Sequence, residues 1–369
     1  MNKSLLFVLL TSVLVLTACE NLNQIEDSSN IICNSPYIRF ETGCCLDQNN
    51  NRICDEDEGI TINITNTSET NSSLVAEVVD LENAGMFIAN SQDWKDVYST
   101  ILYANLLGIP NTFLANVSNA SISLYEIPKE RVIHVISSAD KPYYNDYESL
   151  IRSRGYPDPK EFMLNDINLE LAKRLQDIDK FIIIDDTHGY EAISVAPYAV
   201  RAKYYVLFVN ENNIENTVTF LNQQKPASLI IYGSAVSYAT DKLRKFNPEM
   251  ISEGGKYADN MRLVDKYSQS NSIKEVILTD GKFIEPSMMS GKAAVLFIGK
   301  DDVPEEVKTY IKDKQIDIGV LIGTESVDSA TIIRRQLGIS VFVKFAYGAR
   351  VPGGTPTPIM SLNILPVPS

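Results

Sequence analysis

Histidine is nearly missing from this chain: two occur in 369 residues, His134 and His188. So few exclude an H-E-x-x-H zinc helix, and no Gly-rich phosphate loop is present either. Cys54 is the last of five cysteines, so most of the chain has no thiol nucleophile to offer. No extended basic patch occurs. The net charge of -14, from 33 basic and 47 acidic residues, argues against nucleic acid as a partner. Beyond residue 16 there is no uninterrupted apolar run of about 20 residues, the length a spanning helix needs.

What is present begins with Met1-Asn2-Lys3-Ser4 and the uncharged run Leu5 to Leu16, which read as a signal peptide over residues 1–18. Leu16-Thr17-Ala18-Cys19 resembles the lipobox of secreted lipoproteins, which implies lipidation at Cys19 and a lipid anchor on the extracellular face of the cytoplasmic membrane. A conventional signal peptide cut near Ala18 and an uncleaved anchor are the alternatives, and all three export the chain. In an exported chain, Cys33, Cys44, Cys45 and Cys54 read as two disulfides with three pairings open.

The same Cys-rich module, residues 19–58, sets oxygen-bearing residues at alternate positions. Asp47, Asn49 and Asn51 fall at positions one, three and five of a calcium loop, Ile53 at seven, Asp55 at nine and Glu58 at twelve. Arg52 stands where that pattern wants Gly, so an acidic, disulfide-clamped turn is the competing reading. Residues 59–79 are an Asn/Ser/Thr-rich linker. Asn63, Asn66 and Asn71 there, with Asn116 and Asn119 beyond it, open N-x-[ST] triplets and are candidate glycosylation sites.

The body is a repeat. Short apolar runs rich in Ile, Val and Phe alternate with amphipathic stretches, which predicts buried parallel strands joined by helices. Tyr205-Val-Leu-Phe-Val209 matches Ala294-Val-Leu-Phe-Ile298 at an offset of 89, and Ile231-Tyr-Gly233 matches Leu321-Ile-Gly323 at 90. Met86 to Ala89, Thr112 to Ala115 and Val132 to Ile136 keep the same order in a more diverged copy. Expected helices include Tyr98 to Leu107, stopped by Gly108-Ile-Pro110, one capped by Asn213, and one capped by Asp302 with Pro304 in its first turn. The fold class is α/β: three tandem flavodoxin-like three-layer sandwiches with short parallel sheets, over 80–160, 161–255 and 256–350. Residues 351–369 read as a Pro/Gly linker and an extended tail.

The helix leading to Gly108-Ile109-Pro110, the Pro304 to Ile311 stretch, Ile322-Gly-Thr-Glu-Ser-Val327 and Gly254-Gly-Lys-Tyr257 together resemble the cell wall binding repeat 2 family of surface-layer and wall-attached proteins. The resemblance spans roughly residues 80 to 345. It implies three similar units about a pseudo-threefold axis and non-covalent attachment to an anionic wall polymer; the partner expected of this acidic chain is an envelope polymer, glycan or surface-layer protein at the cell surface. The function expected is therefore non-catalytic, binding or architectural, with no cofactor in the repeats. The alternative is an envelope enzyme or small-ligand-binding protein. It would use Asp185, Asp186 and His188, at a strand end where α/β proteins place their sites, and Asp280 at the matching turn. His134, inside an apolar strand, reads as structural.

Overall fold

The computed structural model describes residues 37–40, 43–46, 84–269, 272–322, 329–347, 357–358 and 360–366. The chain divides into two compact parts, 1–75 and 76–369. In the first, β1 (Tyr37–Phe40) and β2 (Gly43–Leu46) form an antiparallel pair in which Cys44 and Cys45 stand opposite Arg39 and Ile38. Cys19, Cys33, Cys54, the six calcium-loop positions from Asp47 to Glu58, and Asn63, Asn66 and Asn71 lie outside the described residues.

The second part holds three separate sheets of like order. The first runs β4 (Asn111–Phe113), β3 (Met86–Asn90), β5 (Ile133–Ser138), β6 (Lys160–Leu164). The second runs β8 (Tyr205–Val209), β7 (Lys180–Asp185), β9 (Ser228–Tyr232), β10 (Glu249–Ile251). The third runs β13 (Ala294–Phe297), β11 (Glu275–Thr279), β14 (Ile318–Ile322), β15 (Ser340–Tyr347) and adds β17 (Met360–Pro366). All pairings are parallel except β15 with β17.

Helices cover both faces because strand residues bury alternately on each side. In the first unit, Phe87 and Ala89 join a core shared by all three units, beneath α1 (Trp94–Leu107). Ile88 and Val135 face a separate cluster under α2 (Asn119–Tyr125) and α3 (Tyr147–Ser153). Beyond the first sheet, α4 (Ile167–Arg174) packs on α1. The second unit repeats the plan with α5 (Gly189–Ala202), α6 (Ile214–Gln224) and α7 (Val236–Leu243), followed by α8 (Lys256–Ser268) packed on α5. In the third, Val276 and Leu278 bury against Val307 and Ile311 of α9 (Glu305–Asp313) and Ile333 of α10 (Ala330–Leu337), while Ile277 belongs to the shared core.

Register shows how the repeat was altered. Phe87, Ile182 and Ile277 follow one another at intervals of 95 and face Asn111, Val206 and Val295. The paired residues are therefore 24 positions apart in the first two units and 18 in the third. Six residues are missing where α1 and α5 would have a counterpart, and they account for the fall in offset from 95 to 89. In place of a helix, the third unit has β12 (Phe283–Ile284) and turns through Ser290. β12 pairs with β16 (Thr357–Pro358).

Several expectations are corrected. The boundary at 160/161 falls inside β6. Residues read as linker and tail supply β16 and β17, so the third sheet is mixed rather than parallel. Pro304, not Asp302, borders the start of α9. The Asp302 side chain instead fills the space where Gly299 lacks a Cβ.

Candidate functional site

Strand ends carry the polar residues of interest. Asn90, Asp185 and Asp280 occupy one position in the three units, at the C-terminal ends of β3, β7 and β11, and each has a local task. Asn90, fully buried, donates to Ser137 Oγ (2.9 Å) and the Tyr144 carbonyl (2.7 Å) and accepts from the Tyr143 and Tyr144 amides. Asp185 accepts from Tyr238 Oη (2.8 Å) and the Thr187 amide (2.7 Å). Asp280 accepts from the Lys282 amide at 3.1 Å and pairs with its ammonium at 3.2 Å.

The four residues suspected from sequence do not converge. His188 is half-exposed; its Nδ1 lies 3.8 Å from Asp185 and 3.4 Å from Ser234 Oγ. Both approaches use the same ring nitrogen, so no relay through the imidazole is formed. Asp186 turns the other way, to Lys95 Nζ (3.3 Å) and Asn210 Nδ2 (2.8 Å). His134 is a core residue, edge-on to Phe87 and Phe162.

A second recurring position was not read from sequence. Asp96, Glu191 and Glu285 each follow the strand end by five or six residues and each is drawn inward. Burial pushes Asp96 up to about 6, partly offset by the Ser91 hydroxyl, which donates at 2.7 Å. Burial also raises Glu191, against the Ser234 amide (2.9 Å) and hydroxyl (2.8 Å) that donate to its Oε1. Its Oε2 is buried with no hydrogen-bond partner among the described residues. Gly233, at φ 63°, leaves the room that this carboxylate occupies. Glu285 is neutralised by Lys344 Nζ at 2.8 Å.

The junctions between units are built alike. At the first, Asn168 of α4 donates to the Val206 carbonyl (2.9 Å) and accepts from the Phe208 amide (3.1 Å). At the second, Asn260 of α8 donates to Val295 (3.0 Å) and accepts from Phe297 (2.9 Å). Each also donates to a helix serine, Ser99 or Ser194. Tyr98 Oη reaches the Ala192 carbonyl (2.9 Å), tying α1 to α5.

Next to Asn168 a cavity of about 330 Å³ opens between the first two units. Asp93, Lys95 and Asp96 come from the start of α1, Ser138 from the end of β5, and Asp140 and Lys141 from the loop after it. Asn165 and Asp166 precede α4, Leu207 and Phe208 end β8, and Asn210, Asn213, Asn216 and Thr217 follow it. Of the residues suspected from sequence, Asp186 lines this cavity; Asp185, His188 and Asp280 do not. Asn116 is exposed, whereas Asn119, at the start of α2, is 5 % exposed. Among the described residues, no group of three or more His, Cys, Asp or Glu is disposed to hold a metal, and no helix is long and apolar enough to cross a membrane.

No family model matches the chain. Over 295 residues, 76% of this chain and 41% of the relative, it is 21% identical to an amidase enhancer of Bacillus subtilis (strain 168). Among solved structures, Cwp8 from Clostridium difficile matches with a TM-score of 0.53 at 16% identity, over 69% of this chain and 48% of that one. Cwp6 from Clostridium difficile matches with a TM-score of 0.49 at 14% identity, over 64% and 40%. The chain thus spans less than half the length of each. The likeness to Cwp8 is one of fold.

Proposed function

We propose that the chain is a cell-envelope protein whose three-unit body is a non-catalytic binding or architectural module. Lipid at Cys19 holds it at the outer face of the cytoplasmic membrane. The disulfide-pinned segment with its calcium loop, and the glycosylatable linker, belong to the same reading. The body meets an envelope polymer, glycan or surface-layer protein. The likeness of fold to Cwp8 and the weak sequence likeness to an amidase enhancer both support a cell-wall-associated role.

One observation carries the non-catalytic part. Asp186 turns away to Lys95 and Asn210, Asp185 is held by Tyr238 and the Thr187 amide, and His188 comes no nearer to Asp185 than 3.8 Å, whereas an acid–base or metal site needs its groups around one reacting atom. The buried polar groups that do recur, Asn168 and Asn260, build a rigid stack of units. Co-sedimentation of the full chain with isolated envelope material at low salt tests the reading. Retention in the pellet is expected. A chain that stays wholly in the supernatant rejects it.

A further inference from the structure

The two junctions are built to one plan, and the cavity described above lies at the first. At the second, the corresponding space is taken by Lys256, the first residue of α8. Its ammonium donates to the Asp280 carbonyl and sits 4.9 Å from the ring centre of Phe297 and 5.4 Å from that of Tyr190. Phe297 is the counterpart of Phe208, since the Asn clamps bind these two residues alike. Tyr190 is the counterpart of Lys95, 95 residues earlier. At the second junction, then, the chain fills the site with an amine of its own.

The first junction has no such lysine. It offers a space of about 330 Å³ with five carboxylates against two ammoniums, Lys95 and Lys141. Lys95 is already paired with Asp186. Three helix N-termini open here, where an anion would ordinarily bind; at two of them Asp93 already accepts from the Lys95 amide (2.9 Å) and Asp166 from the Leu169 amide (3.1 Å), while Asn213 makes no side-chain cap bond at the third. An anionic ligand would meet a surplus of three negative charges. Thr217, 4 % exposed as a residue, lines the cavity and adds a hydroxyl to it. A hydroxyl there can exchange water for a ligand hydroxyl or amine. The remaining lining is carboxamide and hydroxyl over the ring of Phe208, suited to a polyol.

We propose that this cavity binds a saccharide bearing free amines, the ammonium taking the place that Lys256 takes at the second junction. The proposal rests on the envelope-binding reading and names the ligand class for it. It also explains how an acidic protein can engage an envelope glycan: through the cationic or deacetylated part, not the anionic one.

Calorimetric titration of the full chain with a fully deacetylated chitosan hexamer tests it, beside the N-acetylated hexamer and polyglutamate. The deacetylated hexamer is expected to bind at least roughly tenfold tighter than the acetylated one, a gap of the size that one charge pair in a partly buried site supplies. Polyglutamate should not bind. Asp140 and Asn216 are exposed and line the rim, so D140K and N216R should preserve the melting temperature while each weakens the hexamer roughly tenfold or more. Equal affinity for the two hexamers, preference for polyglutamate, no binding of the deacetylated hexamer, or indifference to both substitutions would overturn the proposal. If envelope co-sedimentation persists in those cases, the amine assignment falls while the envelope reading stands. If co-sedimentation is also lost, both fall.

Discussion

Asn260 does at the second junction what Asn168 does at the first: one carboxamide bridges a carbonyl and an amide two residues apart on the next unit's strand. The strand involved, β8 or β13, lies beside the first strand of its sheet, so its backbone is fixed by one unit and read by another. Alanine at either position leaves a buried carbonyl and a buried amide unpaired. We expect Asn168→Ala and Asn260→Ala each to cost about 2–4 kcal/mol in urea unfolding. Aspartate should be worse than alanine, since it keeps the acceptor, loses both donors and adds a buried charge. A loss below about 0.5 kcal/mol would show that the junctions are held by apolar packing alone.

Asp96 makes stability depend on pH in a defined direction. Burial holds it at about 6, against 3.8 for the unperturbed group. Between these values the folded chain keeps a proton that the unfolded chain has released. The favourable contribution is complete below the lower value and is lost as pH rises through the upper one. Asp96→Asn removes that titration and can still accept from Ser91. It should stabilise the chain at pH 7 by on the order of 1–3 kcal/mol and flatten the unfolding free energy between pH 4 and 6. An unchanged slope across that window would show that the carboxylate is solvated.

The strands were visible in the sequence because their Ile, Val and Phe runs are buried on both faces. The 89-residue offset was visible too, but not its cause. Aligning Tyr205 with Ala294 conceals that Ile182 and Ile277 stand 95 apart, so the six residues lost before β13 went unseen. Asn168 lies between Ile167 and Leu171 on the buried side of α4, where a carboxamide is out of place. Its 92-residue partner Asn260 was the available signal. The cavity offered none. Its lining comes from five segments of ordinary polar residues, and only the packing of one unit on the next brings them together. β16 and β17 were hidden by the Pro and Gly around them, which read as linker.

Glu285 and Lys344 form the most enclosed ion pair among the described residues, 2.8 Å apart with side chains 2 % and 14 % exposed. Lys344 Nζ also donates to Ser287 Oγ (2.7 Å), so it holds the turns that replace the missing helix. Removing the ammonium takes away the charge that balances a buried carboxylate, which keeps the Ser287 amide (2.9 Å) and the Met288 amide (3.3 Å) as donors. Lys344→Met should cost about 3–5 kcal/mol, and Glu285→Gln in that background should recover a large part of it. A double-mutant cycle gives the coupling directly. If the two changes simply add, the turns are set by Phe283, Ile284, Met288 and Met289 in the shared core instead.

Asp185 and His188 separate a structural turn from a chemical site. Asp185 is buried and holds Tyr238 Oη and the Thr187 amide, so Asp185→Ala leaves a half-buried hydroxyl and an amide short of an acceptor. Tyr238 retains the Val209 carbonyl at 3.0 Å, which limits the cost to about 1–2 kcal/mol. His188 is half-exposed, and its 3.8 Å approach to Asp185 is longer than a hydrogen bond. His188→Ala should therefore change stability by less than about 0.5 kcal/mol. Neither substitution should alter co-sedimentation with envelope material, because neither residue lines the cavity beside Asn168. Loss of envelope binding in His188→Ala, with the melting curve unchanged, would move the functional site from the first junction to the end of β7. The imidazole would then have a role that its hydrogen bonds do not account for.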